Sequence, residues 1–225
     1  MVPAENIPQL PPLSDSAHQV IHQLLSGEYL GASRNIRQIN DLFVSITESW
    51  TTPSAEELIH TLVATGDYLI ATRGRNTPAI ANAIRLVLRK LHDTPFATPN
   101  DVKTLIQTRR TEYNRLSLAN AELIAECGAN LLANSEVVLA FDYSSSIMAV
   151  LKRLADRGRK LQIIVPESRC LDGGRPIANE ATGWGHSVTF IVDMAFGHFI
   201  PQADAVLSGA ETIFANGDCW NTVGS

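Results

Sequence analysis

Ser135-Glu136-Val137-Val138-Leu139-Ala140-Phe141-Asp142-Tyr143-Ser144-Ser145-Ser146 marks a change of texture in this chain. A short apolar, β-branched run ends on a carboxylate, and a serine cluster then opens an apolar helix, Ile147 to Arg157, closed by Gly158. The same unit follows again. Leu161 to Val165 reads as a second strand ending in Pro166-Glu167-Ser168-Arg169, and Asp172-Gly173-Gly174-Arg175-Pro176-Ile177 leads into a short helix. Ser187 to Val192 is a third strand ending at Asp193, a short helix spans Phe196 to Ile200, and Ala205 to Leu207 is a fourth strand. Strands alternating with helices through short turns specify a parallel α/β sheet.

Upstream the pattern is helical. Ser14-Asp15-Ser16 caps a helix with Ala17, Val20, Ile21, Leu24 and Leu25 at helical spacing, stopping at Gly27. Further helices are expected over 33–49, from Thr52-Pro53-Ser54 to about Ile70, over 79–91, and from Asn100 to Gly128 or Asn134. The expected organisation is a flexible tail over 1–13, a helical domain over 14–134 and a Rossmann-like α/β domain over 135–225. No internal repeat is present.

The 225 residues are 45% hydrophobic and 18% charged, enough for a sizeable core. A net charge of −5 argues against a nucleic-acid or anionic-membrane surface as main partner. No stretch approaches the ~20 apolar residues of a membrane span. Cys127, Cys170 and Cys219 lack ligand or disulfide spacing, so no metal is expected and a reducing, cytoplasmic location fits. No Walker A, GxGxxG or HExxH pattern occurs, and no cofactor is expected.

Polar groups stand at every strand end of the second half: Asp142 with Ser144–Ser146, Glu167 with Arg169, Asp193, and Glu211. A parallel sheet gathers such ends on one rim. Asp142 and Glu211 fit an acid/base pair, or capping and salt bridging. The serine cluster fits an anion site or a plain N-cap. Glu167, Arg169 and Asp193 fit loop orientation, and Arg175 a rim salt bridge. In the helical half, Arg73-Gly74-Arg75 before a Pro78-initiated helix fits either a phosphate site or a basic turn. His186 and His198 are expected to be structural, and Cys219 a small packed residue.

Taken together, Thr72-Arg73-Gly74-Arg75-Asn76-Thr77-Pro78-Ala79-Ile80, Pro166-Glu167-Ser168-Arg169, and Gly209-Ala210-Glu211 through Asn216-Gly217 to Asn221-Thr222-Val223-Gly224-Ser225 resemble the initiation factor 2B superfamily. That group holds the alpha, beta and delta regulatory subunits of eukaryotic translation initiation factor 2B, methylthioribose-1-phosphate isomerase and ribose-1,5-bisphosphate isomerase. The resemblance implies a phosphosugar pocket between a helical and a Rossmann-like domain, and a homodimer formed through the latter. It implies aldose–ketose isomerisation with Asp142 and Glu211 as the catalytic pair, and Arg73, Gly74, Arg75, Ser144, Ser145, Arg169 and Asn221 as substrate-binding residues. The alternative it implies is a non-catalytic subunit that senses a sugar phosphate or nucleotide. The family's isomerases have a cysteine and an aspartate where this chain has Asp142 and Glu211, and a lysine where it has Thr222. Family members also continue past this motif, so a chain ending at Ser225 is expected to lack part of the sheet and the dimer surface.

Overall fold

The computed structural model describes residues 7–28 and 31–221. The chain divides into two compact units, one up to Leu116 and one from Ser117.

Among the described residues, five α-helices carry the N-terminal part: α1 (Asp15–Ser26), α2 (Ala32–Glu48), α3 (Ala55–Ala71), α4 (Pro78–Val87) and α5 (Pro99–Leu131), the last running into the second unit. Local chemistry sets their starts. The Ser14 hydroxyl accepts from Ala17 N and the Ser54 hydroxyl from Glu57 N, each satisfying a donor left open in a first helical turn. Gly27 closes α1 in the left-handed conformation at φ 78°. Phe43, Leu58, Leu62, Leu69, Ile80 and Ile106 are fully buried in one core, with Leu10 and Leu13 packed against it. α4 stops at Val87, four residues short of the expected Leu91, in a run of turns where Lys90 has φ 57°. The expectations on residues 1–6, and on Thr222 to Ser225, lie outside the described residues.

The second unit alternates strand and helix as expected: β1 (Val137–Phe141), α6 (Ser145–Asp156), β2 (Gln162–Pro166), α7 (Gly174–Gly183), β3 (Ser187–Ile191), α8 (Phe196–Phe199) and β4 (Ala205–Ser208). All four strands are parallel, in the order β3-β2-β1-β4. The pleat sends alternate residues to opposite faces. Val138 and Ala140 join Ile163, Val165, Leu151, Leu154 and Ile177 in one buried layer, with Ala129 and Leu132 from the end of α5 and the turn after it. Leu139, Phe141 and Ile164 face the other way and meet Phe196 and Phe199, the Phe141 and Phe196 rings crossing edge to face at 5.7 Å. Both faces of the sheet thus carry packed side chains around β1 and β2, while Phe190 on β3 and Val206 on β4 stay exposed.

The terminal segment adds a second, small sheet. In it β5 (Thr212–Ile213) and β6 (Cys219–Trp220) form an antiparallel hairpin. Phe214 and Trp220 pack edge to face at 4.8 Å, and the Asn216 side chain accepts from Asp218 N within the turn. Two-residue strands flanked by Asn and Gly carry too little alternation to be seen in a sequence.

Candidate functional site

The strand order creates a switch point. From β1 the chain winds outward through β2 to β3, then returns to place β4 on the other side of β1. Crossovers on either side of this line leave in opposite directions, and the carboxyl ends there border a crevice. Phe141 pairs with Ser208 as the last register pair, so Asp142-Tyr143-Ser144 and Gly209-Ala210-Glu211 leave adjacent strands side by side.

Asp142 is 5% exposed and left-handed at φ 59°, a conformation Asp tolerates better than most residues. The β2–α7 loop closes over it. A Cβ on Gly173 would fall 2.0 Å from Asp142 Oδ1 and 2.8 Å from Tyr143 N, and one on Gly174 would fall 1.9 Å from Pro166 O. Only residues without a side chain fit at these two positions. Consecutive glycines at a helix start are the signal in the sequence for this close backbone approach.

Ser144 caps α6, its Oγ accepting from Ile147 N at 3.5 Å, while Ser145 is exposed as the first helical residue. A Cβ on Gly209 would lie 3.1 Å from Ser144 Cβ, so the β4 end runs against this cap. Asn221 Nδ2 donates to Ser208 Oγ at 3.0 Å, folding the far end of the hairpin back to β4. Ser144, Ser208, Gly209 and Asn221 thus share one corner of the rim.

Glu211 begins the hairpin, its N–H donating to Trp220 O at 2.8 Å. Its Oε2 is closed off from solvent and has no hydrogen-bond partner among the described residues. A shielded carboxylate oxygen without a donor costs free energy until something donates to it.

Arg169 is exposed one strand further along. Asp193 holds that loop by accepting from Ser168 N at 2.8 Å and Arg169 N at 2.9 Å, the orienting role expected of it. Arg175 pairs with Asp172 at 3.0 Å, as expected.

Arg73, Gly74 and Arg75 belong to the N-terminal unit, in a 3₁₀ turn between α3 and α4. Gly74 is buried, and a Cβ there would stand 3.2 Å from Ala81 Cβ. Arg75 is exposed, and Arg73 Nε is shielded without a hydrogen-bond partner among the described residues.

Other candidates resolve as structural or exposed. His186 is buried, with Nδ1 accepting from Leu161 N at 3.1 Å and Nε2–H donating to Leu151 O at 3.0 Å. This arrangement assigns the neutral ring with its proton on Nε2. Burial holds its pKa below the usual histidine value, and the nearby Lys160 charge adds to that. Cys219 is exposed on β6, not packed as the sequence suggested, because the hairpin turns it outward. Among the described residues no group of His, Cys, Asp or Glu is placed to hold a metal ion, and no helix is long and apolar enough to cross a membrane.

The fold and rim define a parallel α/β protein with a polar switch-point crevice and a helical N-terminal part. The chain belongs to the initiation factor 2 subunit family, whose sequence profile matches residues 30–225. It is 27% identical over 209 residues to ribose 1,5-bisphosphate isomerase of Pyrococcus furiosus, covering 92% of this chain and 64% of that protein. It is 24% identical over 214 residues to a Pyrococcus abyssi protein named as an eIF-2B subunit 2-like translation initiation factor, covering 95% of this chain and 72% of that one. The fold is shared with the Pyrococcus horikoshii OT3 translation initiation factor eIF-2B, at a TM-score of 0.81 and 18% identity, over 94% of this chain and 72% of that one. The chain thus spans just under two thirds of the isomerase's length.

Proposed function

We propose that this chain binds a phosphosugar at the β1/β4 rim and isomerises a ribose-1-phosphate-type aldose to the ketose by acid/base chemistry. The observation that carries the reading is Glu211 Oε2, shielded and without a donor, on a strand end beside the one that bears the buried Asp142. A substrate hydroxyl or ring oxygen that shares a proton with Glu211 removes that cost.

The reaction needs four proton movements that cancel in pairs. One carboxylic acid protonates the ring oxygen, and the C1–oxygen ring bond breaks. A carboxylate takes the proton from C2 and an acid returns one to C1. The C2 hydroxyl then gives up its proton as the ketone forms, restoring the first acid. Two carboxyl groups suffice for all four, each step contributing ~10²–10⁴-fold. Ser144, Ser145, Asn221 and Arg169 are the proposed substrate ligands at the rim, and Arg73, Gly74 and Arg75 are proposed as a phosphate-binding turn of the N-terminal unit. Two guanidiniums suit a phosphate because each offers a fork of donors.

A second reading rests on the chemistry at two positions. A carboxylate is a different reagent from the thiol that the family resemblance implies at position 142, which favours binding without turnover, as in a regulatory subunit. Assays with ribose 1,5-bisphosphate, ribose 1-phosphate and methylthioribose 1-phosphate separate the two. Turnover of any of them supports the isomerase. A thermal shift with no turnover supports the binding module, and neither response overturns both. A homodimer in a reducing cytoplasm completes the proposal, and sedimentation at several concentrations tests the dimer.

A further inference from the structure

The N-terminal unit carries a cavity of about 170 Å³ between the end of α4 and the middle of α5. Two guanidiniums, Arg89 and Arg109, line it together with Glu112 and the Tyr113 ring, and Leu86 and Leu116 border it as exposed apolar side chains. Neither arginine forms an ion pair among the described residues. Arg109 is held in place, its Nη1 donating to Val87 O at 2.7 Å, the carbonyl of the last residue of α4.

We propose that this cavity is an oxyanion site, built from none of the residues of the switch-point rim, that takes a small phosphate monoester or carboxylate with a compact apolar substituent. The volume lies below the ~300 Å³ at which pockets begin to enclose drug-sized ligands, so the occupant is small. Guanidiniums match planar or tetrahedral oxyanions through paired N–H donors. An arginine already pinned by a backbone carbonyl loses less freedom on binding. Burial, and then the Arg89 charge beside it, push the Arg109 guanidinium below its ordinary range. Two like charges sharing a partly desolvated cavity are each relieved by an anion placed between them. Glu112 opposes a highly charged ligand and leaves one positive charge in excess, which favours a singly or doubly charged group. The Tyr113 ring and the two leucines supply the surface for the apolar part.

Isothermal titration of the whole chain with phenyl phosphate, and separately with benzoate, tests this. Arg89 is exposed, so Arg89→Gln is expected to fold normally. It should weaken phenyl phosphate binding about tenfold or more, the scale of a lost charge-assisted hydrogen bond. Arg75→Gln, which alters the proposed phosphate-binding turn between α3 and α4, should leave this isotherm unchanged. Benzoate binding with the same Arg89 dependence identifies a general oxyanion site; phenyl phosphate binding alone identifies a phosphate site. The proposal is overturned if Arg89→Gln binds phenyl phosphate as the parent does. It is equally overturned if binding disappears in Arg75→Gln, or if the parent gives no heat at millimolar ligand. None of these outcomes depends on whether the rim catalyses isomerisation.

Discussion

Gly173 leaves no space for a side chain over Asp142: a Cβ on the glycine would sit 2.0 Å from the carboxylate oxygen Oδ1. The loop after β2 therefore forms the roof of the group at the end of β1. Asp142 is 5% exposed beneath it, which makes the glycine a candidate positioning residue for the proposed acid.

Gly173→Ala must push the loop or the carboxylate aside. Overpacking of this kind costs ~1–3 kcal/mol. Urea denaturation should show that loss, and phosphosugar turnover or binding should fall with it. Unchanged stability and unchanged function would contradict the close approach.

Asp142→Asn keeps shape and tolerates φ near 59°, while removing the acid. Glu211→Gln keeps the volume while adding a donor to a shielded position. Each should retain a parent-like melting temperature and lower kcat by ~10²–10⁴-fold if the rim performs proton transfer. In a binding module the same variants alter affinity alone. Steady-state kinetics beside a thermal-shift titration read the difference.

His186 gives the second unit a pH dependence on the acid side. Its folded pKa lies below the ordinary value of 6.5, so below that pH the unfolded chain takes up protons more readily than the folded one. The stabilisation is complete above about 6.5 and is lost as pH falls towards the folded pKa. Protonation of Nδ1 also removes the acceptor for Leu161 N. Urea midpoints measured from neutral to mildly acidic pH should decline, and His186→Phe should flatten that decline. The variant should also be less stable at neutral pH by ~2–4 kcal/mol, since Leu161 N and Leu151 O both lose partners.

Phe43 is fully buried at the centre of the N-terminal core. Phe43→Ala is expected to cost ~3–5 kcal/mol through lost transfer energy and the cavity left behind. Guanidinium unfolding followed by circular dichroism checks the figure, and a loss under 1 kcal/mol would place the ring nearer the surface than its burial indicates.

Much of this architecture could be read along the chain because its causes are local. Ser14, Ser54 and Ser144 cap helices through donors three residues away, and the apolar period of α1, α2 and α6 states which face each helix buries. The alternation from Val137 to Ser208 specified a parallel sheet, and with it a rim where Asp142 and Glu211 both emerge. Tertiary structure alone decided which strands are neighbours. The return of β4 to the side of β1 follows from how crossovers pack on both faces of the sheet, which no short window of residues encodes. The same holds for Gly173 over Asp142, for the buried His186 between two distant backbone groups, and for the exposure of Cys219. Each depends on residues far apart in sequence meeting in a packed interior, where steric fit and unpaired polar groups, rather than local preference, set the energy.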